Sequence, residues 1–237
     1  GGVMDVDLYI KAAVRTEKVP RFTVTHTVEV SSEGFHTSHP DFVGIIGTTK
    51  VRLLHSALGM STEIVELQQA IDAEDRTNIL EELGDILWYW AIALDALVGS
   101  CTFEDPSEEK PLLLPVTEVE RRLTASICAW TDLVRRHAIH AKPLPPEKAA
   151  GALLDIWRRV DEVCLVFNIS REAVMSRNIA KLYARFPEKY DGLRFEERDL
   201  ATERAVLEDI PEGQRCCCIG LPAAPGLRGG CPVHPDR

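Results

Sequence analysis

Two acidic pairs carry the most chemistry in this sequence. Glu63 and Glu66 stand three residues apart, and so do Glu82 and Asp85. On a helix such residues share a face, with Cβ atoms about 5–6 Å apart. The neighbours Val65, Leu67, Leu83, Ile86 and Leu87 are apolar and must turn towards a core. The carboxylates therefore sit at the edge of a packed face, and two antiparallel helices joined by a short turn can bring both pairs together. Four carboxylates at close range either take up protons or bind a cation. Hard oxygen ligands suit Mg²⁺ or Mn²⁺, and Mg²⁺ commonly completes its shell with phosphate oxygens. Gly84, inside the second pair, costs helix stability but lets another group come close to the backbone. The competing reading is an ordinary solvated face on which Arg52, Arg76 and other nearby charges pair with the acids.

The elements that must position these residues are helices. Residues 5–17 predict a short amphipathic helix, and Val19 to Val30 alternate as a strand or an extended arm, with irregular structure as the alternative because Ser31-Ser32-Glu33-Gly34 follows. From Phe42 a period close to 3.6 takes over through Val51, Leu53, Leu54, Leu58, Ile64, Val65, Leu67 and Ile71, with a pause at Gly59. A polar break at Asp72 to Arg76 precedes a second helix from about Asn78 to Val98, capped by Asp75 or Thr77. Cys101 to Pro115 reads as a loop. Thr117 and Glu120 match a capping box for a third helix reaching about His140. Pro146 opens a fourth helix to about Phe167. Ser170 caps a fifth that stops near Phe186, before Pro187, and Arg194 to Glu208 suggests a last, exposed helix. The expected fold class is all-α, a helical bundle of four to five long helices. The expected organisation is an N-terminal appendage over 1–41, a helical domain over 42–210 and a Gly/Pro/Cys-rich tail over 211–237.

Bulk properties bound the partners. A net charge of −10 argues against a general affinity for nucleic acid or anionic membrane. The longest apolar run, Ile86 to Val98, contains Asp95 and falls short of the about 20 residues a membrane span needs. No basic-then-apolar leader is visible, so a cytoplasmic location is the expectation. The cysteines are scattered or gathered in the tail and do not read as a disulfide framework. Cys216, Cys218, Cys231 and His234 are zinc-competent types at plausible spacing, but the Gly/Pro tract around them has no core to fix them. Zn²⁺ is not expected there.

The segment Leu53–Leu67 resembles the first helix of MazG-type nucleoside triphosphate pyrophosphohydrolases, and Asn78–Tyr89 resembles their second. That family carries a Glu-x-x-Glu pair and a Glu-x-x-Asp pair separated by one to two dozen residues. Asn178–Pro187 and Arg198–Arg204 resemble further family blocks, and together the blocks cover roughly half the chain. The resemblance implies a reaction: hydrolysis of the α–β phosphoanhydride of an NTP or dNTP, giving the monophosphate and pyrophosphate. It implies Glu63, Glu66, Glu82 and Asp85 as ligands of Mg²⁺, or of Mn²⁺. Glu66 and Glu82 are the expected catalytic carboxylates, with Glu66 accepting the proton of the attacking water. Asn178, Lys181 and Arg185 share one face of the fifth helix and would direct a donor and two cations at the phosphates. An ordinary solvated face is the alternative for Lys181 and Arg185. Trp88 or Tyr89 would stack on the base, or else pack into the core, and His55 reads as a packed histidine.

The chain departs from the family between Ser100 and Phe167, where some 65 residues intervene. Ala129–Leu144 and Ala152–Trp157 resemble the end of a first helix and the second acidic block, with Ser126, Ala129 and Ala152 in place of carboxylates and only Asp155 kept. A degenerate second copy over 117–167 follows from that register, beside an active copy over 42–99 and a phosphate-contact helix over 170–186. An unrelated helical insertion is the alternative. In the duplicated reading, Arg135, Arg136, His137 and Lys142 would serve the first copy's site. A homo-oligomer or an intramolecular pseudo-dimer is expected. Two other functions stay open: a catalytically inactive, MazG-like nucleotide-binding or interaction protein, and a dUTP/dCTP pyrophosphatase or phosphoribosyl-ATP pyrophosphohydrolase.

Overall fold

The structure, a computed structural model, describes residues 5–17, 48–97, 113–186 and 200–208. Seven helices are found there: α1 (Val6–Val14), α2 (Thr48–Asp72), α3 (Arg76–Ala96), α4 (Val116–His140), α5 (Pro146–Phe167), α6 (Arg171–Arg185) and α7 (Leu200–Glu208). No strand occurs among the described residues, which are all-helical in their regular structure, with α2 to α6 as the long members. None of the described helices is long and apolar enough to cross a membrane. The arm at Val19 to Val30, most of the 101–115 loop and the cysteine tail lie outside the described residues.

Local chemistry accounts for most boundaries. Asp75 caps α3 by accepting from the backbone N–H groups of Thr77 and Asn78. Just before it, Glu74 takes a left-handed conformation (φ 54°) and the Asp75 N–H returns to the Ala70 carbonyl. That 6→1 closure ends α2 and reverses the chain within three residues. Ser170 caps α6 through the Ala173 N–H. Asn168 closes α5 in the left-handed region, which asparagine tolerates, while the Ile169 N–H returns to Cys164. Pro146 opens α5 as its spacing predicts.

Three expectations need correction. α2 runs through Gly59 without a pause. α4 begins one residue early, behind Pro115, with no side-chain cap, so the Thr117–Glu120 capping box does not form. Thr117 is already helical there, and its hydroxyl is in the wrong place to serve an N-cap. Val65 does not turn inward: it is 48% exposed, as Leu58 is at 62%. The stripe that α2 buries is narrower, through Leu53, Ala57, Met60, Ile64, Leu67 and Ile71.

α3 is the central helix and packs against α1, α2, α5, α6 and α7. Trp90 on α3 stacks on Trp157 of α5 (centroids 4.5 Å apart, planes at 25°), and its indole N–H donates to the Leu153 carbonyl. Such stacking is worth about 0.5–1.5 kcal/mol beyond the area it buries. α2 and α4 are joined by a hydrogen bond shared between Ser61 and Thr131. The N-terminal helix is part of this core: Tyr9 and Ala13 are fully buried, and α1 packs on α3 and α6.

Candidate metal centre

The tight turn after Asp72 lays α3 antiparallel on α2. Arg52 and Asp95 pair at one end of the hairpin (2.7 Å), and the ring of Tyr89 lies against Gly59 further along. A Cβ at Gly59 would stand 2.2 Å from the Tyr89 ring, so only glycine lets the two helices approach there.

One turn on, Glu63, Glu66 and Glu82 converge, each offering a carboxylate oxygen within 4.8 Å of the others. Glu66 is exposed, Glu63 half-buried and Glu82 only 9% exposed. Burial first, and then the charges of Asp85, Glu63 and Glu66, push the Glu82 carboxyl up to about 9. Glu63 is raised to about 7, by burial and by Asp85 and Glu66, although a hydrogen bond with Glu82 and the nearby Lys181 charge pull it back. Without a cation the cluster therefore holds protons near neutrality. This is the cost of crowding carboxylates, and a divalent ion relieves it. Close oxygen donors that are not neutralised by the protein's own cations fit a hard metal ion.

Asp85 stands beside this group, held from α6. Both of its oxygens lie 2.6 Å from Lys181 Nζ, and Asn178 Nδ2 donates to Oδ1 at 2.9 Å. Lys181 also reaches Glu81 at 3.3 Å. Burial alone would drive this ammonium down, but Asp85 and Glu81 outweigh it and hold Lys181 above the ordinary lysine range. Asn178 is itself fixed, because the Tyr9 hydroxyl donates to its Oδ1 at 3.1 Å. Burial and the Asp85 charge raise Tyr9 well above an ordinary phenol, so it stays a neutral donor. The group that comes close to Gly84 is Asn178: a Cβ at Gly84 would meet the Asn178 Cβ at 2.9 Å.

Lys181 is thus neither a solvated surface lysine nor an outward-pointing cation. It is 1% exposed and bound to Asp85. Arg185 ends the same helix, half-buried, in the last turn. The Trp88 ring packs edge-on against Tyr89 and His55, and its indole N–H donates to the Ala13 carbonyl. Tyr89 is raised to about 12, by burial and by Glu63, Asp85 and Glu66, so its hydroxyl remains protonated beside the carboxylates. Arg52 is bound to Glu17 and Asp95, and Arg76 donates to the carbonyls of Phe167 and Asn168. The spacing of the sequence does not reveal the part played by α1. A lone tyrosine on a short amphipathic helix carries no signal for an anchor that reaches Asn178, 169 residues away.

The α4–α5 hairpin has a different balance. Ser126 donates to Asp155 across the two helices. Arg159 binds both Asp155 (2.8 Å) and Glu162 (2.5 Å), and Arg122 binds Glu162 at 3.0 Å. Two guanidinium groups thus answer the two carboxylates here, whereas on α2–α3 Lys181 binds Asp85 and Glu81 and leaves Glu63, Glu66 and Glu82 without an ion pair among the described residues.

The described residues form an all-helical fold in which an antiparallel helix pair gathers three carboxylates that could hold a divalent cation. Residues 54–103 match the family model of the MazG nucleotide pyrophosphohydrolase domain, a similarity that points to nucleotide pyrophosphohydrolase chemistry. The match takes in both acidic pairs. No curated protein and no solved structure matches the chain.

Proposed function

We propose that this protein is a divalent-metal-dependent hydrolase that cleaves (d)NTPs at the α–β phosphoanhydride, releasing the monophosphate and pyrophosphate. The observation that carries the reading is the convergence of Glu63, Glu66 and Glu82 within the MazG-type segment. Those three would hold Mg²⁺ or Mn²⁺, with Asp85 as an adjoining carboxylate. The ion would screen phosphate charge and make a bound water more acidic. Glu66, the exposed member, accepts the proton of the attacking water. Glu82 is the second catalytic carboxylate, and its release of a proton opens the site to the cation. Lys181 and Asn178 act through Asp85, keeping it aimed along α3, while Arg185 contacts the phosphates. Trp88 and Tyr89 form the apolar wall on which a base rests.

The α4–α5 hairpin is read as a degenerate repeat of α2–α3. In its support, Ser126 and Asp155 face each other across the helices where that register places the counterparts of Glu63 and Asp85.

The test is a panel of NTPs and dNTPs incubated with Mg²⁺, with Mn²⁺ and with EDTA, the products being separated by chromatography. Monophosphate and pyrophosphate, formed only with metal and lost in Glu82→Gln, are expected. Release of orthophosphate and a diphosphate would overturn the bond assignment, and binding without turnover would leave a nucleotide-binding protein. Strict preference for dUTP, dCTP or phosphoribosyl-ATP would narrow the substrate class.

A further inference from the structure

A cleft of about 590 Å³ lies where α4 turns into α5, lined by Leu133, Arg135, Arg136, His140, Lys142, Pro143, Pro145 and Lys148. None of the metal-centre carboxylates lines it. We propose that this cleft is a second anion site, which takes a polyphosphate without a metal ion.

Charge is the first argument. The chain as a whole carries −10, yet four permanent cations line this one cleft. Asp132 is the carboxylate that answers them, and it binds Arg135 (2.6 Å) and Arg136 (2.7 Å). That contact leaves both guanidinium groups exposed and holds them side by side. Lys142 and Lys148 pair with no carboxylate among the described residues. An anion with several charges is needed to neutralise such a set, and a chloride or a single carboxylate is too small.

Geometry is the second. Arg135 also contacts the His140 ring at 3.0 Å, and His137 Nδ1 contacts the Lys142 carbonyl at 2.8 Å. The left-handed Ala141 (φ 50°) and the prolines that follow then fix the turn. The two guanidinium groups are therefore positioned before any ligand arrives, while the lysine ammonium groups stay exposed at the ends of their side chains. Planar guanidinium groups match phosphate oxygens in pairs, while lysines add point charges at a distance. Leu133, Pro143 and Pro145 supply an apolar floor, and the volume lies within the about 300–1,000 Å³ of small-molecule sites. The shared chemistry is a chain of phosphates, either free pyrophosphate or the tail of a nucleotide.

Calorimetric titration in EDTA separates this site from the metal centre, with pyrophosphate, a nucleoside triphosphate and orthophosphate as probes. Expected is saturable binding of pyrophosphate or the nucleotide, tighter than orthophosphate, one per chain. It should persist in Glu82→Gln and weaken at least about tenfold in Lys142→Glu/Lys148→Glu. Those lysines are exposed, so circular dichroism should show that variant folded. If pyrophosphate binds more weakly than the nucleotide, the tail of a nucleotide is the occupant; equal affinity points to free polyphosphate. No binding to the wild type, or binding that the lysine variant leaves intact, would overturn the proposal. So would a short single-stranded RNA that outcompetes both probes, because the cleft would then serve a macromolecule.

Discussion

Asp85 and Lys181 form an ion pair in which one buried ammonium lies 2.6 Å from both oxygens of a carboxylate that is 25% exposed. Lys181 is 1% exposed, and it is the cation that Asp85 binds among the described residues. The pair ties α6 to α3 at the edge of the acidic cluster. Replacing Lys181 leaves a carboxylate that keeps solvent contact and its bond from Asn178, at a cost of about 1–3 kcal/mol. Lys181→Met should therefore destabilise the protein by that order in urea denaturation. A loss below about 1 kcal/mol would mean the pair is far better solvated than its burial indicates.

The metal-free protein should lose stability as the pH rises. Glu63 and Glu82 titrate near 4.5 when unperturbed, but at about 7 and about 9 in the fold. Between those values the folded state holds protons that the unfolded chain has released, so unfolding is increasingly favoured with pH. The stabilisation is complete below about pH 4.5 and is lost as pH climbs through about 7 and then about 9. Melting curves in EDTA at pH 6 and pH 9 should show the decline. Mg²⁺ should raise the melting temperature more at pH 9, with protons released on binding. A Mg²⁺ effect that is larger at pH 6 would contradict this.

Glu82→Gln separates stability from turnover. Glutamine has the shape of the protonated acid and cannot ionise, so the variant in EDTA should equal the wild type near pH 6 and exceed it near pH 9. Turnover should fall more than about 100-fold, because even groups one step behind a metal are worth about 10–100-fold. Retained activity would remove Glu82 from the metal centre.

Gly84→Ala and Gly59→Ala probe the close approaches that build the site. At Gly84 the new methyl group meets Asn178 at 2.9 Å, and at Gly59 it falls 2.2 Å from the Tyr89 ring. Overpacking of this kind costs about 1–3 kcal/mol. Gly59→Ala should be the worse of the two, with altered near-ultraviolet circular dichroism from the displaced Tyr89. Wild-type stability in both would show that the helices have room to separate.

Ala141→Gly should stabilise the fold. Ala141 sits at φ 50°, where a Cβ crowds the following carbonyl at a cost of about 1–2 kcal/mol. Glycine avoids that strain but loses more entropy on folding, leaving a net gain of about 1 kcal/mol or less. A lower thermal midpoint in Ala141→Gly would show that the turn is not strained.

Much of this architecture was legible in the residues because it depends on near neighbours. Glu63 and Glu66, or Glu82 and Asp85, share a face through helix geometry alone. Asp75, Pro146 and Ser170 place helix ends by bonding, or failing to bond, within four residues. The all-helical class follows from the same periodicity. Periodicity does not say which neighbour a face meets. Val65 fits the apolar period of α2 yet stays exposed, because α3 and α4 cover only the adjacent stripe. Lys181 has the local pattern of a solvated cation, and only the packing of α6 on α3 buries it against Asp85. Tyr9 reaches Asn178 across 169 residues. Chain-local forces set each helix and the face its carboxylates share; burial, charge pairing and the protonation of Glu82 belong to the assembled bundle, because desolvation and Coulomb energies depend on distance in space and not on separation along the chain.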